Sequence, residues 1–226
     1  MSADLFAAMV DGTRLRLGEH AWLLHGFALA DIDALLPALK EVIRAAPFRH
    51  MTTPGGLAMS VATTSCGALG WISDRRGYRY VSRDPDSGHG WPPMPQPMLG
   101  MASKAAAAAG FPNFQPDACL INRYRPGTRL SLHQDRDEHD MAQPIVSVSL
   151  GLPATFLFGG RARSERPVRV PLSHGDVVVW GGVDRLRFHG VLPVAPGVHP
   201  QLGEQRINLT FRKAGASAQF QSNSFQ

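Results

Sequence analysis

The segment LSLHQDRDEHD sets His133 and Asp135 two residues apart. On an extended strand that spacing turns both side chains to one face, where both can reach a single metal ion. A third ligand has to come from elsewhere in the chain, and His189 in LRFHGVLP, at the edge of a late strand, is the candidate. Two imidazoles and one carboxylate make a facial triad with open coordination positions, the arrangement used to activate O2 at non-haem Fe(II). An isolated H-x-D is also common in surface turns, so its weight comes from the strands around it and from the arginine-bearing strand after His189.

That strand lies in GEQRINLTFRK, where Arg206, Asn208, Thr210 and Arg212 alternate with Ile207, Leu209 and Phe211. Alternation of this kind puts the polar side chains on one face and the apolar ones on the other. An edge strand with a solvated face reads this way. So does a strand whose arginines point into a barrel, where each guanidinium can grip one carboxylate of a small dianion through paired hydrogen bonds. A five-carbon diacid with a keto group beside one carboxylate would chelate iron at one end and meet an arginine at the other.

The elements that must position these residues are mostly strands. After Phe111 come ACLINRY, RLSLH, IVSVSL, TFLFG, PVRVPL, DVVVWG, HGVLPV and RINLTFR, separated by turn signals such as PGT, GLPA and HGD. Strands in succession without intervening helices predict an antiparallel sandwich or barrel of jelly-roll type. Before Phe111 the pattern is mixed. Residues 31–46 space Ile32, Leu35, Leu36, Leu39, Val42, Ile43 and Ala46 as on a helix, with Asp31 or Asp33 as N-cap. Pro37 inside that pattern predicts a later helix start or a kink. Residues 47–93 are rich in turns, with β-prone pieces at 58–63 and 78–82, the kind of surface that carries recognition loops. A second helix is expected from Pro97 to Ala109, with Gly110 at its C′ position. The fold class is therefore α+β, mainly β.

Composition sets outer bounds. The 226 residues carry 44% hydrophobic content and a net charge of +5. Lys40, Lys104 and Lys213 are the only lysines, so the positive charge is nearly all arginine, the better residue for bidentate contacts to phosphate and carboxylate. A basic balance favours a polyanionic partner, although GC-rich coding produces the same composition. Cys66 and Cys119 belong to no paired motif, which points to a reducing cytoplasm and away from cysteine-based metal sites. No run approaches the ~18 apolar residues of a membrane span, and the N-terminus lacks a basic leader. No membrane association is expected.

Taken together, INRYRPGTRLSLHQDRDE, PIVSVSLGLPATFLFGG, GDVVVWGG, RFHG and RINLTFR resemble the bacterial AlkB family of alkylation-repair demethylases. The likeness extends upstream through PFRHMTTPGGLAMSV, LGWISDRRGY and GFPNFQPDACLINRY, covering the chain from about Phe48 to Lys213. It implies a double-stranded β-helix that uses Fe(II), 2-oxoglutarate and O2. On that pattern His133, Asp135 and His189 are the iron ligands and the catalytic centre. Asn122, Tyr124, Arg206, Asn208 and Arg212 would hold the cosubstrate, with Arg206, Asn122 and Tyr124 at the distal carboxylate and Arg212 at the keto-acid end.

The implied organisation is an N-terminal extension and helix over 1–46, a nucleotide-recognition lid over 47–93, a catalytic core with its preceding helix over 94–214, and a frayed tail over 215–226. In the lid, Trp71 offers a flat face for a flipped-out base, with His133 as the opposite wall, although a core tryptophan would look the same in sequence. Tyr78 is placed to meet a phosphate, and Asp137 to face the exocyclic amine of a cationic methylated base. Arg129 and Arg136 are phosphate contacts, Arg136 standing where the family carries lysine. Leu57 is a second departure, an apolar residue in PGGLAMS. His139, His174 and His199 lie outside these motifs and read as surface histidines.

The implied activity is oxidative demethylation of 1-methyladenine and 3-methylcytosine in single- or double-stranded DNA, with RNA as a further substrate, by a cytoplasmic monomer. Decarboxylation of 2-oxoglutarate is coupled to methyl hydroxylation and formaldehyde release. The rivals are an oxygenase acting on RNA or a protein side chain, a non-enzymatic DNA-binding jelly roll, and a zinc hydrolase, which would leave the arginine strand without a role.

Overall fold

A computed structural model describes residues 12–215 of the chain. The tail expected to fray lies outside the described residues except for Gly215. Strands β1 (Arg14–Arg16) and β2 (Ala21–Leu24) come first, before helix α1 (Ile32–Ala45), β3 (Arg49–Thr52) and β4 (Ala58–Gly67). A two-stranded ribbon, β5 (Gly70–Asp74) and β6 (Gly77–Val81), precedes helix α2 (Gln96–Ala108). Eight strands then run in succession: β7 (Ala118–Tyr124), β8 (Leu130–His133), β9 (Ile145–Gly151), β10 (Ala154–Phe158), β11 (Val168–Leu172), β12 (Val177–Trp180), β13 (His189–Val191) and β14 (Arg206–Arg212).

Those eight strands divide between two sheets in the jelly-roll manner. The large sheet has the order β1-β2-β12-β9-β14-β7-β4-β3, and the small one β11-β10-β13-β8. The core strands are thus shared between the sheets, and the named strand pairings are antiparallel. Strand β14 is not the edge strand that its alternation also allowed. It lies between β7 and β9 with all seven residues buried. Its polar face is therefore an interior one.

Alternation sorts the side chains into two cores. Ile207, Leu209 and Phe211 join Val146, Val148 and Leu150 beneath the helices, while Ile145, Phe156, Phe158, Val178, Trp180 and Val191 pack between the sheets. Helix α1 buries Ile32, Leu35, Leu36, Leu39 and Val42, and α2 buries Met98, Met101, Ala102, Ala105 and Ala106. Each fully buried large aliphatic contributes roughly 1.5–3 kcal/mol, which fixes the helices against the outer face of the large sheet. That leaves the inner face free to hold a site.

Local details depart from expectation at several points. Helix α1 starts at Ile32 and runs through Pro37, so the later start is not found. Asp31 occupies the N-cap position without capping through its side chain; its carboxylate pairs with Lys104 at 3.3 Å instead. Helix α2 begins at Gln96, and Gly110 takes a positive φ of 95° just past its end, as the C′ position requires. Strand β4 extends beyond the expected β-prone piece because Thr64, Ser65 and Cys66 pair with Ile121, Leu120 and Cys119 of β7. Strands β1, β2, β3 and β5 are too short to show a period of their own. At Gly67, φ is 114° and a Cβ would lie 2.4 Å from the Asp117 carbonyl oxygen, so only glycine turns the chain from β4 toward the ribbon here. The ribbon rests on a small cluster of Ala46, Met51, Ile72 and Trp91.

Candidate active site

Strands β8 and β13 pair so that His133 and His189 face each other directly. Gly190 allows this close approach: a Cβ there would meet the Leu130 carbonyl oxygen at 2.7 Å. Asp135 completes the group from just beyond the end of β8, not from within the strand as simple alternation implied. His133 Nε2 lies 3.6 Å from Asp135 Oδ1, and His189 Nε2 lies 3.6 Å from Oδ2. One ligand atom from each residue falls within 4.8 Å of the others.

Both rings are held by their second nitrogen. His133 Nδ1 donates to the Ser131 carbonyl at 2.9 Å and His189 Nδ1 to the Arg187 carbonyl at 3.0 Å. A carbonyl only accepts, so in the neutral form of each ring Nε2 is the nitrogen with the free lone pair, as metal-binding histidines require. Withdrawal from bulk water, and then the neighbouring His189, push His133 down to about 4. A third of its side chain is exposed (34%), as befits a ring at the wall of a cavity. Burial raises the Asp135 carboxyl, but the Arg212 guanidinium and then His189 outweigh it and hold the group well below the usual carboxylate range. Near neutral pH the site offers a neutral His133 and an anionic Asp135, the protonation states that a divalent metal needs.

The polar face of β14 opens onto the same space. Cross-strand pairing lines up Thr63, Asn122, Asn208 and Ser149 over four strands, with Tyr124 opposite Arg206 in the next row. Arg206 is buried; its Nη2 donates to Ser149 Oγ at 3.1 Å and its guanidinium sits 4.9 Å from the Tyr124 ring centroid. Its Nε and Nη1 are buried without a partner. Orphaned guanidinium donors at the wall of a cavity are costly unless an anion meets them, so this residue fits the carboxylate of a bound diacid. Arg212 differs, because its Nε and Nη2 donate to Asp135 Oδ2 at 3.0 and 2.5 Å and its Nη1 to the Tyr80 hydroxyl at 3.3 Å. Asn208 is likewise engaged, with Nδ2 on Ser147 Oγ and the Val148 carbonyl and Oδ1 accepting from Thr210.

A cavity of about 620 Å³ connects these groups, within the range of small-molecule sites. The structure brings every sequence-named site residue to its walls: His133, Asp135, His189, Asn122, Tyr124, Arg206, Asn208, Arg212, Trp71, Tyr78, Asp137, Arg129 and Arg136. The ribbon forms its roof. Trp71 and Tyr78 stack at 5.5 Å with ring planes 12° apart, and Tyr78 is 48% exposed. Trp71 also packs against the small cluster beneath the ribbon, so it serves both as core and as cavity wall. Its Nε1 donates to Asp137 Oδ2 at 3.0 Å.

Four neighbours escape a reading of the sequence. Tyr80 comes one alternation after Tyr78 on β6, a usable signal; its hydroxyl donates to Glu138 at 2.9 Å. Arg163 lines the cavity from a segment without periodicity, and Glu138 and Arg185 form a buried ion pair at 3.0 Å that no local pattern announces. Of the three histidines expected at the surface, His139 is exposed, whereas His174 and His199 are half-buried with ring centroids 4.3 Å apart.

A jelly roll whose triad shares one cavity with a buried arginine that keeps two nitrogens without a partner has the makings of an iron oxygenase, and likeness to known proteins agrees. The profile described as the 2OG-Fe(II) oxygenase superfamily matches residues 21–212, so the chain is a member of that superfamily and a dioxygenase dependent on Fe(II), 2-oxoglutarate and O2. It is 54% identical to the alpha-ketoglutarate-dependent dioxygenase AlkB of Escherichia coli, over 94% of this chain and 98% of the relative. Identity to the AlkB of Salmonella typhimurium is also 54%, over 88% of this chain and 92% of the relative. The chain therefore belongs to the AlkB family. Among solved structures, that of OsALKBH1 superposes with a TM-score of 0.78 at 29% identity, covering 89% of this chain and 100% of the other.

Proposed function

We propose that this protein demethylates N-alkylated bases in nucleic acid, with 1-methyladenine and 3-methylcytosine in DNA as its substrates. The observation that carries this reading is the sharing of one cavity by the triad, the unpaired Arg206 donors and the Trp71–Asp137 wall. His133, Asp135 and His189 would hold Fe(II). Arg206, seated against Tyr124 and Ser149, would take the distal carboxylate of 2-oxoglutarate. Asn122 lies two residues from Tyr124 on the same face, and Asn208 stiffens the floor through its bonds to Ser147 and Thr210. Arg212 would meet the keto-acid end while restraining Asp135.

When bound, Fe(II), 2-oxoglutarate and O2 would supply the oxidation of the N-methyl carbon to N–CH2OH, with succinate and CO2 as co-products, and loss of formaldehyde from that group would restore the base. The chain's own contribution is placement. Trp71 presents an aromatic face to an extruded base, and the Asp137 carboxylate favours a cationic ring over a neutral one. Cationic lesions have already lost Watson–Crick pairing, which lowers the cost of extrusion. Arg129 and Arg136 are exposed at the cavity edge, and Tyr78 stands half-exposed above it, all three suited to phosphate.

In this reading residues 47–93 act as the recognition lid and 94–214 as the catalytic core, working as a cytoplasmic monomer. Cys66 and Cys119 are both free thiols. No helix among the described residues is long and apolar enough to cross a membrane. The test is mass spectrometry of a 1-methyladenine DNA oligonucleotide after incubation with Fe(II), 2-oxoglutarate and O2, beside a matched RNA and a methylated peptide. Loss of one CH2 per lesion with equimolar succinate is expected. Turnover of the peptide alone would reject the reading, and turnover of RNA alone would move the substrate to RNA.

A further inference from the structure

Behind the triad lies a chain of buried charges. Arg185 sits in the segment before β13 and is 3% exposed. Its Nη1 donates to the backbone carbonyl of Asp135 at 2.7 Å, Nη2 to Glu138 Oε2 at 3.0 Å and Nε to the Gln143 carbonyl at 3.1 Å. Every nitrogen of the guanidinium therefore ends on a fixed acceptor. Glu138 Oε1 in turn accepts from the Tyr80 hydroxyl at 2.9 Å and lies 3.2 Å from Arg212 Nε. Arg212 closes the circuit on Asp135 Oδ2.

Asp135 is thus gripped twice, at its carboxylate by Arg212 and at its peptide by Arg185. A buried ion pair adds little net stability over apolar packing of the same shape, but here it fixes direction. We propose that Arg185 is a positioning residue for the metal site: it anchors the Asp135 peptide and, by sharing the charge of Glu138, sets how firmly Arg212 and the lid residue Tyr80 are held to the same cluster. Without Arg185, Glu138 faces only Tyr80 and Arg212, so Arg212 is drawn toward Glu138 while Asp135 loses its backbone anchor. The inference rests on the proposed role of the triad as the metal ligands.

The test is Mn(II) binding to the full chain, read by electron paramagnetic resonance without cosubstrate or nucleic acid. Arg185→Gln should weaken Mn(II) by about tenfold to 100-fold, the usual effect of removing a support behind a ligand. Arg185→Lys, which keeps a charge opposite Glu138 but cannot fork to the Asp135 carbonyl, should recover part of that loss. Combining Arg185→Gln with Glu138→Gln should cost less than the product of the single effects, because both act through one link. A structural role alone would lower the melting temperature of the metal-free protein and leave Mn(II) affinity of the folded protein unchanged. A folded Arg185→Gln protein with wild-type Mn(II) affinity overturns the proposal; if that variant does not fold, a folded Glu138→Gln protein with wild-type affinity does so. Failure of the underlying reading looks different: the wild-type protein would bind no Mn(II), or Asp135→Ala would bind it equally well.

Discussion

Trp71 and Asp137 are joined across the cavity roof, the indole Nε1 donating to the Asp137 carboxylate at 3.0 Å. The aromatic face assigned to the base and the charge assigned to its amine are therefore one unit. Asp137→Ala should slow repair of cationic lesions more than of neutral 1-methylguanine, because only the former bring a positive ring to the carboxylate. Trp71→Ala should weaken binding of a methylated oligonucleotide by ~1 to 3 kcal/mol, while Trp71→Phe, which keeps the ring and loses the donor, should weaken it less. Additive effects of Trp71→Phe and Asp137→Ala in a double-mutant cycle would deny the coupling.

Asp135→Ala should abolish turnover, since it removes the one anionic ligand and leaves two imidazoles. It also strips Arg212 of its closest partner. Breaking a buried pair typically costs ~3 to 5 kcal/mol, and Glu138 should offset part of that. Metal titration together with urea unfolding of the metal-free protein checks both parts; near-wild-type metal affinity would remove Asp135 from the ligand set.

The two arginines of β14 should separate. Arg206 has two buried nitrogens, Nε and Nη1, without a partner, whereas every nitrogen of Arg212 already has one. Arg206→Ala should weaken 2-oxoglutarate by roughly 2 to 5 kcal/mol and leave metal affinity nearly unchanged. Arg212→Ala should lower both. Independent titrations of cosubstrate and metal decide, and an unchanged 2-oxoglutarate affinity in Arg206→Ala would exclude its role.

His174 gives a pH dependence away from the active site. Burial, and then the neighbouring His199, lower it from 6.5, and its Nδ1 accepts the Gly151 N–H at 2.9 Å. Its folded value lies below its unfolded one, so the unfolded chain takes up the proton first. The contribution to stability is complete above pH 6.5 and is lost as pH falls from there through the folded value. Melting temperatures between pH 7.5 and about 5 should fall more steeply for the wild type than for His174→Gln. Parallel curves would show that His174 does not contribute.

The sequence by itself determined the jelly roll and the iron site. Both rest on local, repeating patterns: strands of period two, an H-x-D at the end of one, and a polar stripe on RINLTFR. Sequence could not decide whether that stripe met solvent or an interior, because alternation is the same in an edge strand and a central one. Pairing with β7 and β9 decided it, and with it the cost of leaving Arg206 donors unpaired. Alternation alone likewise presents Arg206 and Arg212 alike, whereas of the two only Arg212 is paired with Asp135 and Glu138. The Arg185–Glu138 pair, the Trp71–Asp137 bond and the His174–His199 contact join residues whose neighbours in sequence carry no shared period. They exist because the two sheets, the ribbon and the connecting loops converge in space. Tertiary structure alone settled such contacts, because a polar pair far apart in sequence leaves a local mark in neither segment.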